Sequence, residues 1–361
     1  MHNKVTLTIN NKKYIGYNNI HPQFLSALSN LFYSGQYNRT SSDNTNFGVS
    51  ALSIHPIFSL TGNIANSSAL LNSVSSVGIY AFNNINDASV AYGNTLSTLI
   101  GYPLSILNNN GINTYSLSSI DNFSFIVSQT YIYSPSADNT TQYIKIGSFS
   151  IKNNYSTPSG TYSYFPFASI NILDLTNTVY KTLFPTQKIG IQWNINLNNI
   201  VNSSVNSVNG NIHDTFKSNL KNILSSSSVI SSFSTTSFKI SNIIAFNSPG
   251  LAYVNNGISS NAFILTSSVT SLTLNNYVVT YTNTYTNNTN NFQNIGSLLL
   301  IGSGDINNNF PIAWINANDI WGTPIRVVNP NEVITFTWKL DLTPYQINNG
   351  LAGSPKLKLT S

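Results

Sequence analysis

The sequence predicts a mostly β protein: two tandem β-sandwich (jelly-roll-like) domains from an internal duplication, each with one short N-terminal helix. Three observations predict it. Residues 19–30 return as residues 211–222 with seven of twelve positions identical. Four further blocks recur in the same order. Between them lie short runs rich in Val, Ile, Thr, Tyr and Phe, separated by Asn- and Ser-rich segments.

The recurring blocks define the elements. Pro22 suits the first helical position, and Phe24, Leu25, Leu28, Leu31 and Phe32 form one apolar face at helical spacing. Phe216, Leu220, Ile223 and Leu224 form the same stripe in the second copy. Ile79–Asn83 matches Ile243–Asn247, a strand pair that aligns Phe82 with Phe246. Ile146-Gly147-Ser148 matches Ile295-Gly296-Ser297, and Phe165–Asn171 matches Phe310–Asn316. The strand carrying Trp193 matches the one carrying Trp338. Further strands are expected at Phe123–Val127, Tyr143–Ile151, Tyr277–Tyr281 and Val333–Leu342. Asn-Gly turns are expected at Asn110-Gly111, Asn209-Gly210 and Asn256-Gly257.

The expected domains are an N-terminal hairpin or arm (1–18) without a counterpart in the second copy, repeat 1 (19–203), repeat 2 (204–345) and a C-terminal tail (346–361). The helix-bearing blocks begin at 19 and 211, an offset of 192, while the Trp strands lie at 193 and 338, an offset of 145. Repeat 1 therefore carries insertions, the largest at about 33–76. Insertions on a duplicated scaffold fall on surface loops, where specificity resides, so 33–76 is an expected partner-contacting surface. At 361 residues the chain has room for two domains that each bury a core.

Composition narrows the function classes. Charged residues make up 7% of the chain and hydrophobic residues 41%. Asn, Ser and Thr carry solubility, and Glu332 is the only glutamate. Few carboxylates means little to protonate on acidification, which suits a harsh extracellular setting. The formal charge is +5, but the lysines read as scattered along the chain, so no nucleic-acid partner is expected. No signal peptide and no membrane span are expected. A surface suited to the outside, made without an export signal, fits a protein synthesised in the cytoplasm that leaves within a virion.

No constellation reads as catalytic. His21 and His213 occupy the same repeat position, which points to helix entry, and no two histidines have metal-ligand spacing. Asp174 and Asp319 are repeat mates expected to hold a turn. Gly147, Gly296, Phe82, Phe246, Trp193 and Trp338 read as scaffold. No cofactor, metal or catalytic residue is expected. Asn38, Asn66, Asn122, Asn139, Asn154, Asn202 and Asn287 open Asn-x-Ser/Thr triplets and are candidate glycosylation acceptors.

The second copy resembles a domain of tailed-phage tail-fibre and collar proteins. The resemblance rests on the helix residues Phe216 to Leu224, on Ile240 to Phe246, Tyr277 to Tyr285, Ile295-Gly296 and Ile334 to Trp338. The first copy is similar through Leu25 to Leu31, Ile79 to Phe82, Ile146-Gly147 and Ile191 to Trp193. The family's glycines after Ile-Ala are Phe246 and Asn247 here, and its Glu before Ile-Gly is Asn294 or Lys145. The composition is similar to that of structural proteins of viruses of acidophilic archaea. What these likenesses imply is a non-enzymatic virion structural protein, a tail, fibre or appendage component acting by self-assembly and surface contact. Its implied partners are itself as a homo-oligomer, other virion proteins, and a host surface glycan or protein. A tandem jelly-roll major capsid protein and a cell-surface adhesin or filament subunit are the alternative readings.

Overall fold

The computed structural model describes residues 3–20, 22–34, 39–40, 46–47, 62–63, 74–90, 101–103, 114–132, 144–156, 162–184, 186–198, 200–225, 238–254, 261–265, 267–303 and 310–343. These residues are mostly strand.

The first half begins with β1 (Asn3–Ile9), β2 (Lys12–Ile20) and α1 (Pro22–Ser34). Three two-residue strands follow: β3 (Arg39–Thr40), β4 (Asn46–Phe47) and β5 (Gly62–Asn63). Then come β6 (Val74–Phe82), the one-turn helix α2 (Asp87–Val90), β7 (Gly101–Pro103), β8 (Thr114–Ser119) and β9 (Ser124–Ile132). The half closes with β10 (Ile144–Ile146), β11 (Ser148–Ser156), β12 (Tyr162–Asn171), α3 (Ile172–Thr176), β13 (Lys181–Leu183) and β14 (Lys188–Asn196).

The second half begins with β15 (Asn202–Val205), β16 (Val208–Ile212) and α4 (Asp214–Ser225). It continues with β17 (Ile240–Phe246), α5 (Leu251–Val254), β18 (Ala262–Ile264), β19 (Ser267–Asn275) and β20 (Val278–Thr286). Last come β21 (Gln293–Ile295), β22 (Ser297–Gly302), β23 (Phe310–Asn316), α6 (Ala317–Trp321), β24 (Arg326–Val328) and β25 (Val333–Asp341).

The larger sheets follow parallel plans. The first runs β5-β6-β11-β12-β2-β1-β14-β9-β8, with β7 also on β6; the second runs β18-β17-β22-β23-β16-β15-β25-β20-β19. All pairings among the described residues are antiparallel. In each half a separate two-stranded ribbon stands apart, β10 with β13 and β21 with β24. β2 joins β1 along its length but meets β12 only at Asn19 and Ile20, and β16 meets β23 only at Asn211 and Ile212. The second sheet folds back on itself: the Tyr281 hydroxyl on β20 donates to Ser241 O on β17 at 3.0 Å. Alternation builds these strands. β14 reads exposed and buried by turns with Trp193 inside, and β20 alternates along its whole length.

Several sequence expectations are corrected. The 1–18 hairpin is not an arm without a counterpart. β1 pairs with β14 from Val5↔Trp193 onward, as β15 pairs with β25 from Val205↔Trp338. The second turn lies at Asn206-Ser207, both with positive φ as a two-residue hairpin turn needs. Asn209-Gly210 instead lies inside β16, where a Cβ on residue 210 would meet Ser203 Oγ at 3.1 Å and Trp314 O at 3.3 Å. The expected strand 143–151 is broken at Gly147 into β10 and β11. Each half has one-turn helices besides its first helix. Asn110-Gly111, Asn256-Gly257 and most of 33–76 lie outside the described residues.

One large hydrophobic core runs through both halves, with a smaller cluster of Ile244, Phe246, Ala252, Leu299 and Ile301 in the second. α1 packs on β12 of its own half and on β19 and β20 of the other; α4 packs on β23 and on β9 of the first half. The exchange is reciprocal, since β9 and β20 hold equivalent places in the two paths. Phe32 and Phe216 meet between the helices with ring centroids 5.4 Å apart. Both are fully buried, worth about 1.5–3 kcal/mol each.

Candidate functional site

The recurring sequence blocks converge in space at one corner of each half. Gly296 N–H donates to Phe246 O at 2.7 Å and Gly296 O accepts from Ala317 N–H at 2.9 Å. Gly147 makes the same pair of bonds, with Phe82 O at 2.7 Å and Ile172 N–H at 2.8 Å. Neither position has room for a side chain. A Cβ on Gly296 would lie 2.2 Å from Ser248 C, and one on Gly147 would lie 2.3 Å from Asn84 C.

The following serines complete the corner. Ser297 Oγ donates to Ser248 O at 2.9 Å and accepts from Ala252 N–H at 3.1 Å. Ser148 Oγ donates to Asn84 O at 2.7 Å and accepts from Ala88 N–H at 3.1 Å. Asn316 Oδ1 accepts from Gly250 N–H at 2.8 Å, and Asn171 Oδ1 from Asn86 N–H at 2.8 Å. Both donors lie in the left-handed region, at φ 75° and 69°. Asp319 Oδ2 accepts from Asn316 N–H at 3.4 Å. Asp174 accepts from Asn171 N–H, and burial raises its pKa above the ordinary carboxylate value against that bond. Both aspartates thus hold the first turn of a short helix.

His213 precedes α4 and is buried. Its Nδ1 accepts from Thr215 N–H at 3.1 Å, so the proton of the neutral ring sits on Nε2, which donates to Tyr253 O at 3.0 Å. Burial lowers its pKa below 6.5, against opposing pulls from the Tyr253 bond and Asp214. His21 lies outside the described residues. Trp193 and Trp338 are fully buried scaffold. Trp338 Nε1 donates to Ser203 Oγ at 2.8 Å, whereas buried Trp193 Nε1 has no acceptor among the described residues.

The Asn-x-Ser/Thr acceptors divide by exposure. Asn287 is fully buried: its Nδ2 donates to Asn291 O and Val328 O at 2.9 and 3.0 Å, and its Oδ1 accepts from Thr289. A glycan on that nitrogen would break the loop, so Asn287 leaves the set of acceptors. Asn122 and Asn202 are exposed. Asn38, Asn66 and Asn139 lie outside the described residues, as does the side chain of Asn154.

The expectation of scattered lysines does not survive folding. β1–β2 and β10–β13 bring Lys12, Lys13, Lys145, Lys181 and Lys188 to one end of the first half. Lys12 and Lys181 Nζ lie 5.5 and 5.9 Å from the centroid of the same Tyr14 ring, and Lys145 Nζ lies 4.6 Å from that of Tyr180. The sequence hides this because the residues are far apart along the chain.

Among the described residues no His, Asp and Glu groups converge as metal ligands, and no helix is long and apolar enough to cross a membrane. An open groove at the β19–β20 tip, lined by Asn275, Tyr277, Thr280 and Lys339 among others, gathers no acid–base pair. Comparison of the chain with protein families, curated proteins and solved structures found no match.

Proposed function

We propose that the chain is a duplicated β-sandwich module acting as a non-enzymatic virion structural protein, a tail, fibre or appendage component that works by self-assembly and surface contact. One observation carries the reading: the positions that recur between the halves are packing and backbone-bonding positions. The Gly-Ser corners, the capping Asn and Asp residues and the buried Trp strands serve the scaffold. Selection for shape, rather than for a reacting group, accounts for keeping these twice. Away from the lysine-bearing end of the first half, a surface poor in ionised groups forms contacts that vary little with pH and salt.

Chain-consecutive strands pair as hairpins, β1 with β2, β8 with β9 and β11 with β12. Strands far apart in the chain pair beside them, β1 with β14 and β12 with β2, so preferring the appendage module to a tandem jelly roll rests on the first helix of each half and on the Ile-Gly and Trp blocks. The test is protein mass spectrometry of purified particles with copy number determined. A few dozen copies or fewer per particle are expected. Hundreds would move the chain to the capsid, and absence from particles would end the virion reading.

A further inference from the structure

We infer that the lysine-bearing end of the first half is a docking surface for an anionic polysaccharide. The observation is a difference between equivalent positions. In the second half Arg326 on β24 pairs with the carboxylate of Glu332, which also accepts from Asn329 N–H at 2.8 Å to close the loop before β25. Moving 145 residues back places Lys181 at the arginine and Gln187 at the glutamate. Gln187 closes the same loop, its Oε1 accepting from Phe184 N–H at 3.0 Å. It does so without charge, so the position equivalent to Glu332 supplies no counter-ion to Lys181.

Lys12 shares the Tyr14 ring with Lys181, and three more lysines stand at the same end of the half. The tip of the β1–β2 hairpin adds Lys12 and Lys13, the ribbon adds Lys145, and β14 begins at Lys188. The two ion pairs among the described residues, Lys217 with Asp214 and Arg326 with Glu332, involve none of them. Asp174, on the helix that packs against β2, is shifted by burial and a backbone bond, with no lysine contributing. In a chain with 7% charged residues, five such cations at one end attract a polyanion.

The chemistry favours a glycan over nucleic acid. The cluster contains no arginine, so it lacks the planar fork that grips phosphate and guanine. The faces of Tyr14 and Tyr180 already carry the protein's own ammonium groups, which leaves them poorly placed to stack bases. Asn11 in the hairpin turn and Thr182 opposite Lys145 on the ribbon add uncharged partners for sugar hydroxyls. Point-charge ammoniums interleaved with such groups match a sulfated or carboxylated sugar chain.

The inference rests on the surface-contact part of the function proposed above, and binding by purified full-length protein tests it apart from particle membership. Dextran sulfate, polygalacturonate, uncharged dextran and a DNA duplex are compared by interferometry at low and moderate salt. Both anionic polysaccharides are expected to bind, dextran is not, and affinity should fall as salt rises. The triple variant K12Q/K145Q/K181Q should weaken binding about tenfold or more. Gln187→Glu should weaken it by a smaller factor while keeping the loop bond and the melting temperature. Lys339→Gln, on β25, should leave binding unchanged. Failure of both anionic polysaccharides to bind, unchanged binding by the triple variant and Gln187→Glu, or tighter binding of DNA would each overturn the inference. Binding by a protein that is absent from particles would keep this inference and remove the virion reading.

Discussion

The two hairpins that open the halves use the same device at different lengths. Asn10 donates its N–H to Lys188 O at 3.1 Å and accepts from Lys188 N–H at 3.2 Å. Asn206 does the same with Thr337, at 2.9 and 2.8 Å. Thr337 corresponds to Gln192, four residues further along its strand than the position of Lys188. The first hairpin therefore reaches four residues further, and its tip carries Lys12, Lys13 and Tyr14 over the end of the core. In the second half that end is closed differently: Trp321 of α6 packs on Phe336 with centroids 6.1 Å apart, where the first half has Thr176. Nearby Ile325, Val327 and Val333 are left exposed. The lesson is that Gly147 and Gly296 tolerate no side chain because backbone meets backbone there, while the ends are free to change chemistry.

That contrast predicts the largest effects at the corners. Gly296→Ala and Gly147→Ala each push a methyl group into peptide backbone, which cannot rotate away. Each should cost about 3 kcal/mol or more, or prevent folding. Chemical denaturation of the two variants measures this. A cost below about 1 kcal/mol in either would mean that its corner can relax and that the close approach does not constrain the fold.

The tryptophans should differ by a smaller amount. Ser203→Ala leaves the Trp338 N–H buried without its acceptor, a loss of about 1–3 kcal/mol. Trp338→Phe should cost about 1 kcal/mol more than Trp193→Phe, because only the former removes a bond seen among the described residues. Equal costs would show that Trp193 has an acceptor elsewhere in the chain. At the next level down, Trp321→Ala should cost about 1–2 kcal/mol, since the ring is only half-buried. No loss would mean that Phe336 is covered without it.

The sequence made the helices and the long alternating strands legible, since Phe24, Leu25, Leu28, Leu31 and Phe32 are all buried. It also singled out Gly147, Gly296, Asp174 and Asp319 before their contacts were visible. It missed the hairpin's counterpart because β15 and β16 are shorter and share little identity with β1 and β2. It carried β10 through Gly147 because apolar alternation continues on both sides of the break. The lysine end was missed because proximity came from pairing β1 with β14 and β10 with β13. The signal existed in the repeat alignment, which sets Lys181 opposite Arg326 and Gln187 opposite Glu332.

The smallest effect expected is a difference in pH response between the halves. His213 is held neutral by burial, with its folded pKa below 6.5. The stability this confers is full above pH 6.5 and is lost as pH falls through the depressed folded value. Asp174 runs the other way: its folded pKa lies above 3.8, so its contribution is full below pH 3.8 and is lost as pH rises through the folded value. The second half thus contains a group that charges unfavourably in acid, and the first a group that charges unfavourably towards neutrality. The low carboxylate content alone predicts acid tolerance, and His213 sets a limit to it. His213→Asn keeps an acceptor for Thr215 N–H and should stay within about 1 kcal/mol of the parent at pH 8. Its stability should fall less than the parent's between pH 6.5 and pH 4. Asp174→Asn should lower the variant's relative stability in acid compared with neutral pH. Urea titrations at pH 8, 6, 5 and 4 distinguish the cases. A His213→Asn variant that tracks the parent at every pH would show that the ring is not held neutral, and would return the acid response to the carboxylates.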